Sequence, residues 1–102
     1  SNRGAHIDLV APGTGILSTV PRYPARRAHH TLYDAEGWDG TSMAAALVTG
    51  CVALCLARQP TATVRDIRQA LHAGADPIDG QTGFTHRLGH GRLNVDQTLA
   101  AL

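Results

Sequence analysis

The apolar run Met43–Ala57 limits the possible folds of this chain more than any other feature. Thr49 is its only polar side chain, and no charged residue follows until Arg58. Alanine, leucine and methionine favour helix over strand and Pro60 closes the segment from outside, so the run predicts a helix over about 42–58. A helix that is apolar on every side has to be buried on every side. The run is shorter than the roughly 20 apolar residues of a membrane span, which disfavours a transmembrane segment.

Two further helices are predicted after it. An amphipathic pattern over 64–73 follows Thr63, a good N-cap, and Asp66 stands where the acid of a capping box stands. The last predicted helix, 95–102, follows Asn94 and has the same kind of capping pattern. Both helices carry a polar face, so each is expected to lie at a surface.

Two short segments before the apolar helix, 7–10 and 16–20, predict strands, because each ends at a turn that contains proline. The residues that follow, 21–39, are polar and irregular and predict a long loop. A loop of that length in a compact domain is usually functional or mobile. It serves either as a solvated surface excursion or as a rim beside a substrate.

The predicted elements do not supply enough cover for the apolar helix. Two amphipathic helices and a few short strands bury one or two of its faces, whereas the helix needs partners all round. We therefore expect the chain to be the C-terminal part of a larger α/β domain whose sheet lies mostly outside these residues. Two alternatives stay open: the helix pairs with another chain, or it stays partly exposed and promotes aggregation.

Composition narrows the class of protein only coarsely. The 102 residues include 9 Lys and Arg and 8 Asp and Glu, a formal net charge of +1 at pH 7. A charge so close to zero gives no electrostatic reason to expect nucleic acid or an anionic membrane as a partner. With 43% hydrophobic and 17% charged residues, the chain is not compositionally disordered. Two cysteines are too few for a disulfide framework.

The residues with chemical potential, Gly40, Thr41 and Ser42, lie where the loop meets the apolar helix. The N–H of a serine at a helix N-terminus is among the unpaired donors there and faces the positive end of the helix dipole. Such a donor stabilises an oxyanion that develops on a bound carbonyl. Gly40 lets a substrate backbone approach without a Cβ in the way. From position alone, however, Ser42 is more simply an ordinary helix N-cap.

Three segments resemble motifs of one enzyme family. Gly40–Ala44 reads G-T-S-M-A and is followed by Val48 and Gly50; Ile7–Gly13 ends in A-P-G after an aspartate, and Gly89–Val95 reads G-H-G-R-L-N-V. In this order they resemble the nucleophile motif, a strand end and the start of the last helix of the subtilisin-like serine proteases, the subtilases. The resemblance extends over practically the whole chain.

The resemblance implies a fold for residues 1–102 and a role for each residue of the turn. The fold is the C-terminal segment of a single peptidase domain, a three-layer α/β/α domain with a mostly parallel sheet, incomplete in this chain. Ser42 is implied to be the nucleophile, with its own N–H as one oxyanion donor. The remaining implied site residues are Gly40 and Thr41 in the oxyanion turn, and Trp38 and Met43 on the leaving-group side.

Other parts of the family's machinery have no counterpart in this sequence. The family order is Asp, His, Ser, and neither the Asp and His motifs nor the Asn of the second oxyanion donor is found. A serine without a base stays protonated, so the isolated chain is expected to be inactive. Its expected partners are a polypeptide substrate and the N-terminal remainder of the domain. No cofactor and no metal site is predicted; a structural calcium ion in the parent enzyme is left open, with no residue here to assign to it.

Two positions depart from the family pattern. Ala46 and Leu47 stand where the family usually has proline and histidine. With the missing Asp and His, they keep open a second function: a non-catalytic structural or interaction module derived from a subtilase. The compartment is also left open, because the resemblance suggests export from the cell whereas two unpaired thiols suit a reducing cytoplasm.

Five further positions are expected to have no catalytic part. Cys51 and Cys55 lie four residues apart on the apolar helix and are expected to be buried filler, since free cysteine is among the most buried residue types. Asp8 is expected to be a solvent-facing acid at a strand end, in preference to the other reading that the resemblance implies, a carboxylate of a weak cation site. His86 and His90 are expected to be surface residues beside a glycine-rich turn.

Overall fold

Three helices make up the regular secondary structure of the described residues. The structure, a computed structural model, describes residues 1–19 and 37–102. Its helices are α1 (Thr41–Arg58), α2 (Val64–Gly74) and α3 (Val95–Ala101). The boundaries expected from the sequence, 42–58, 64–73 and 95–102, differ from these by at most one residue.

Side-chain hydrogen bonds explain where α2 and α3 begin. The Oγ1 of Thr63 accepts a hydrogen bond from the N–H of Asp66 (3.2 Å), and the carboxylate of Asp66 accepts one from the N–H of Thr63 (2.8 Å). This reciprocal pair is the capping box expected at this position. At α3, the Oδ1 of Asn94 accepts a hydrogen bond from the N–H of Gln97 (3.0 Å). Both caps satisfy N–H groups that have no partner inside their helix.

The core lies between the second half of α1 and the other two helices. Cys51 and Cys55 of α1 are buried against Ile67 and Leu71 of α2. Thr98 of α3 is fully buried, and its hydroxyl donates a hydrogen bond of 2.7 Å to a backbone carbonyl one turn earlier. Partly buried apolar side chains surround this centre: Leu9, Val52, Ala62, Leu93, Val95, Leu99 and Leu102.

Most of α1 is left uncovered by the described residues. Cys51 and Cys55 are its only buried residues, whereas Leu47, Leu54 and Leu56 are 39%, 51% and 41% exposed. The helix expected to be buried over 42–58 is therefore buried along one line only, because α2 and α3 reach one side of it. Among the described residues, α1 is also the one helix long and apolar enough to cross a membrane, a weak indication that the core helix of a soluble protein gives equally.

The first predicted strand, 7–10, is reduced to a single bridge. Val10 pairs in parallel with Arg92, and Arg92 pairs on its other side in antiparallel fashion with Asp76. A regular strand needs a neighbour along its whole length to satisfy its N–H and C=O groups. Within the described residues this segment bonds to its neighbour through the carbonyl of Asp8 and both backbone groups of Val10, and Val10 alone forms a bridge, so no ladder forms.

The second predicted strand, 16–20, also makes one bridge in the described residues. Ile16 and Trp38 exchange two backbone hydrogen bonds of 3.0 and 2.9 Å in an antiparallel bridge. Residues 20–36, which include the end of this strand and most of the predicted loop 21–39, lie outside the described residues. The bridge places Trp38, which lies three residues before α1, beside Ile16.

Candidate functional site

Close backbone contacts between two glycines hold the turn that precedes α1. The N–H of Gly40 donates a hydrogen bond of 2.7 Å to the carbonyl of Gly13. A Cβ on Gly13 would lie 2.8 Å from the carbonyl oxygen of Gly40, so a side chain there would force the two segments apart. The carboxylate of Asp39 adds a hydrogen bond of 2.7 Å from the N–H of Gly15. These contacts fix where α1 begins.

Ser42 is the second residue of α1, and its side chain is exposed. The N-cap residue, Gly40, provides no side-chain cap; its carbonyl accepts hydrogen bonds from the N–H groups of Met43 and Ala44 (3.2 and 3.4 Å). In the described part of the chain, nothing accepts from the N–H groups of Thr41 and Ser42. Two such N–H groups at the positive end of the α1 dipole favour an anion or a developing oxyanion.

A largely apolar groove of about 410 Å³ runs beside Ser42. It brings together Ser42, Met43 and Trp38, three of the residues that the sequence assigns to the site. Trp38 is 49% exposed, so its ring is available to a ligand in the groove. The other residues that line it are Ile16, Leu17, Ser18, Thr19, Ala46 and Leu47.

The remaining residues assigned to the site do not line this groove. Thr41 borders a different hollow, of about 560 Å³, together with Ala44 and Val48. Gly40 contributes backbone only, through its contact with Gly13. The N-terminus of α1 therefore borders two hollows, the groove at Ser42 and the hollow at Thr41.

No proton acceptor accompanies Ser42 in residues 1–19 and 37–102. Its hydroxyl has no hydrogen-bond partner among them, and the nearby carboxylate of Asp39 is bound to the N–H of Gly15. In the same residues, no group of three or more His, Cys, Asp or Glu side chains is placed to hold a metal ion. The described residues therefore provide an exposed hydroxyl, N–H donors and a groove, with no base beside the hydroxyl among them.

Both thiols lie in the core, away from the groove. Burial, with the neighbouring Cys55 as a second cause, raises the pKa of the Cys51 thiol above its ordinary value. Because the thiolate is the reactive form, buried protonated thiols are inert. The two cysteines act here as small apolar residues.

Sequence reasoning missed a cluster of polar side chains, which we name the histidine cluster: Asp8, Arg68, His72 and His90. Asp8, expected to face solvent, has two partners, since its Oδ1 lies 2.7 Å from Nη2 of Arg68 and 2.8 Å from Nε2 of His72. His90, expected at the surface, stacks on His72 with ring centroids 4.0 Å apart. The four-residue spacing of Arg68 and His72 places both on one face of α2, but nothing in the sequence shows what that face meets.

Comparison with known proteins gives a family and several relatives. Residues 1–91 match the family model described as the subtilase family. Fervidolysin from Fervidobacterium pennivorans is 36% identical over 107 residues, which cover 97% of this chain and 15% of the relative. Subtilisin from Bacillus pumilus is 35% identical over 95 residues, which cover 93% of this chain and 30% of the relative. The chain thus spans less than a third of the length of these relatives.

Solved structures give the same result for the fold. The crystal structure of fervidolysin, a keratinolytic enzyme related to subtilisin, matches with a TM-score of 0.81 at 35% identity; the match covers 98% of this chain and 16% of that chain. The structure of the Clostridium perfringens CspB protease matches with a TM-score of 0.70 at 34% identity, covering 90% and 19%. Both neighbours are proteases several times longer than this chain.

Proposed function

This chain belongs to the subtilase family, and we propose that it is the C-terminal segment of a serine endopeptidase in which Ser42 is the nucleophile. One observation carries the proposal: the exposed hydroxyl of Ser42 lies at the N-terminus of α1, beside an apolar groove and N–H groups that have no acceptor among the described residues. The substrate is a polypeptide. The complete domain is a three-layer α/β/α domain with a mostly parallel sheet, of which this chain forms an incomplete part.

The proposed reaction is acyl transfer. The Oγ of Ser42 attacks the carbonyl carbon of the scissile peptide as its proton passes to a histidine base. The C–N bond then breaks, the leaving amine takes up that proton, and water releases the acyl group from Ser42. The N–H of Ser42 stabilises the oxyanion that forms in each half of the reaction.

The other assigned residues support this chemistry. Gly40 and Thr41 shape the oxyanion turn, in agreement with the close contact between Gly40 and Gly13. Trp38 and Met43 share the groove with Ser42 and are proposed to contact the leaving-group side of the substrate. No cofactor takes part in these steps.

The N-terminal remainder of the domain is the proposed source of the Asp, the His and the Asn that donates the second oxyanion hydrogen bond. In subtilisin, removal of either the serine or the histidine lowers turnover about 10⁶-fold. The 102 residues alone are therefore proposed to be inactive. We assign no residue of this chain to a structural calcium ion.

The test compares two serines of the groove in the full-length protein. Ser42→Ala should reduce peptide hydrolysis about 10⁶-fold, as removal of a catalytic serine does. Ser18→Ala, a matched control at an exposed serine that lines the same groove, should leave hydrolysis within a few-fold of wild type. Circular dichroism of both variants checks that the fold is kept. Hydrolysis by Ser42→Ala at the wild-type rate would remove Ser42 from the mechanism.

The exposed apolar side of α1 favours one rival function, the non-catalytic interaction module. Leu47, Leu54 and Leu56 offer a partner chain an apolar surface. The two functions differ in what precedes Ser1 in the gene. Asp and His motifs upstream support the peptidase, and their absence, together with an inactive full-length protein, supports the module.

A further inference from the structure

The histidine cluster joins three separate segments of the chain and contributes nothing to the groove at Ser42. Asp8 precedes the bridge at Val10, whereas Arg68 and His72 lie on α2. His90 belongs to the glycine-rich segment 84–91. The cluster is therefore placed to control how this segment sits on α2.

Asp8 anchors the cluster from two sides. Its side chain accepts hydrogen bonds from Arg68 (2.8 Å from Nε) and interacts with Nε2 of His72 at 2.8 Å. Its backbone carbonyl accepts a hydrogen bond of 2.8 Å from the N–H of His90. Asp8 thus fixes α2 with its carboxylate and the 84–91 segment with its backbone.

A stack of aromatic rings completes the contact. The imidazoles of His72 and His90 are nearly parallel, with 18° between their planes and 4.0 Å between their centroids. Phe84 packs its ring edge-on against His90 at 5.3 Å and against His86 at 5.9 Å. Within the segment, Thr85 and Gly89 exchange backbone hydrogen bonds of 3.0 and 2.8 Å. These contacts tie the segment to the ring of His90.

Protonation of both imidazoles turns the favourable stacking contact into a repulsive one. In the described residues, the charged or titratable groups that face the stack are Asp8 and Arg68, with His6 in the same hollow and His86 behind Phe84. The single negative charge of Asp8 is already offset by Arg68. Two protonated imidazoles would therefore repel each other at about 4 Å without a free counter-charge.

We propose that the stacked rings of His72 and His90 form an acid-sensitive clasp, which holds segment 84–91 against α2 near neutral pH and releases it when both rings are protonated. The clasp is built from side-chain geometry alone and does not depend on whether Ser42 is a nucleophile.

The electrostatics of His90 and Asp8 agree with this direction. Partial burial and the charge of His72 lower the pKa of His90 below 6.5, although Asp8 partly opposes them. The folded state therefore favours a neutral His90, so its contribution to stability is complete above pH 6.5 and is lost as the pH falls through the lowered pKa. Burial raises the pKa of Asp8, but hydrogen bonds from Arg68 and His72 outweigh it and leave that pKa below 3.8. Asp8 thus keeps its charge while the clasp opens.

The test is hydrogen exchange of the full-length protein between about pH 7.5 and pH 5, corrected for intrinsic exchange rates. The reporter is the N–H of His90, which donates a hydrogen bond to the carbonyl of Asp8, outside the segment. Its protection should fall about fivefold or more on acidification, the effect of two unit charges about 4 Å apart in a water-like dielectric. Unchanged protection across this range would overturn the proposal.

Two variants separate protonation from packing. His90→Phe keeps a ring for stacking but cannot be protonated, so its protection should not depend on pH. His86→Phe is the matched control, because His86 contacts Phe84 and not the stacked pair. Its protection should depend on pH as in the wild type. If His90→Phe loses protection in acid as wild type does, the stack is not the switch. If His90→Phe does not fold, ring-proton NMR of the wild type decides, because loss of protection must then track the titration of His90.

Discussion

The two halves of α1 are both largely apolar, but only the second half contains buried residues. In the second half, Cys51 and Cys55 are 1% and 0% exposed because α2 and α3 cover them. The first half, from Thr41 to Gly50, has no buried residue in the structure. Yet it is the first half that carries Ser42. Under the proposed function, the part of the domain that completes the site is also expected to cover this half of α1.

The largest expected effect is the difference in stability loss between truncation of a buried side chain, Ile67, and truncation of a partly exposed one, Leu47. Ile67→Ala should lower the free energy of unfolding of the 102-residue chain by about 2–5 kcal/mol, since it leaves a cavity in the core. Leu47→Ala should cost about 1 kcal/mol, because this side chain is 39% exposed and its removal opens a surface rather than an enclosed cavity. Urea denaturation followed by circular dichroism measures both.

The same pair sharpens the comparison in the full-length protein. There the cost of Leu47→Ala should rise toward that of Ile67→Ala if the remainder of the domain covers the first half of α1, as the proposed function requires. Equal costs for the two substitutions in the short chain would contradict the difference between the halves.

Two helical glycines provide the next contrast. A Cβ on Gly74 would lie 2.6 Å from Cα of Thr98, so Gly74→Ala should push α2 from α3 and cost about 1–3 kcal/mol. Among the described residues, a Cβ on Gly50 meets nothing within 4 Å, so Gly50→Ala should stabilise the short chain by up to about 1 kcal/mol through helix propensity. Thermal unfolding of both variants gives the signs. If Gly50→Ala destabilised the short chain, another part of the chain would have to pack against Gly50, which would contradict the open space seen there.

The smallest expected effect concerns the capping box of α2, the helix that packs against the second half of α1. Thr63→Ala should cost about 1 kcal/mol at neutral pH, and Thr63→Ser should restore most of it. Hydrogen bonds from the side chain and backbone of Thr63 lower the pKa of Asp66 below 3.8. The contribution of the box is therefore present above pH 3.8 and is lost as the pH falls through that lowered pKa. A difference between wild type and Thr63→Ala that does not shrink in acid would contradict this.

The sequence allowed the helices to be predicted because their signals are local. Thr63 and Asp66 are three residues apart, and Asn94 lies directly before α3, so neighbouring residues suffice to define these starts. The start of α1 has no such cap: its N-cap is Gly40, which has no side chain, so Ser42 is the second residue of the helix and not the N-cap that its position alone suggests.

The strands and the histidine cluster could not be predicted because they depend on distant partners. Val10 needs Arg92 to form its bridge, and Asp8 meets Arg68 and His72 across 60 and 64 residues of sequence. A regular strand over 7–10 would require neighbours along its full length, which the described residues do not supply. Sequence patterns that span only a few neighbouring residues carry no information about such long-range pairings.

The most direct test of the central claim, that Ser42 is a nucleophile completed by residues outside this chain, is fluorophosphonate labelling of the full-length protein and of the 102-residue chain side by side, read by peptide mass spectrometry. A serine without its base is a poor nucleophile. We therefore predict an adduct on Ser42 in the full-length protein and none in the short chain. An adduct on another residue of the full-length protein, or equal labelling of Ser42 in both, would contradict the claim.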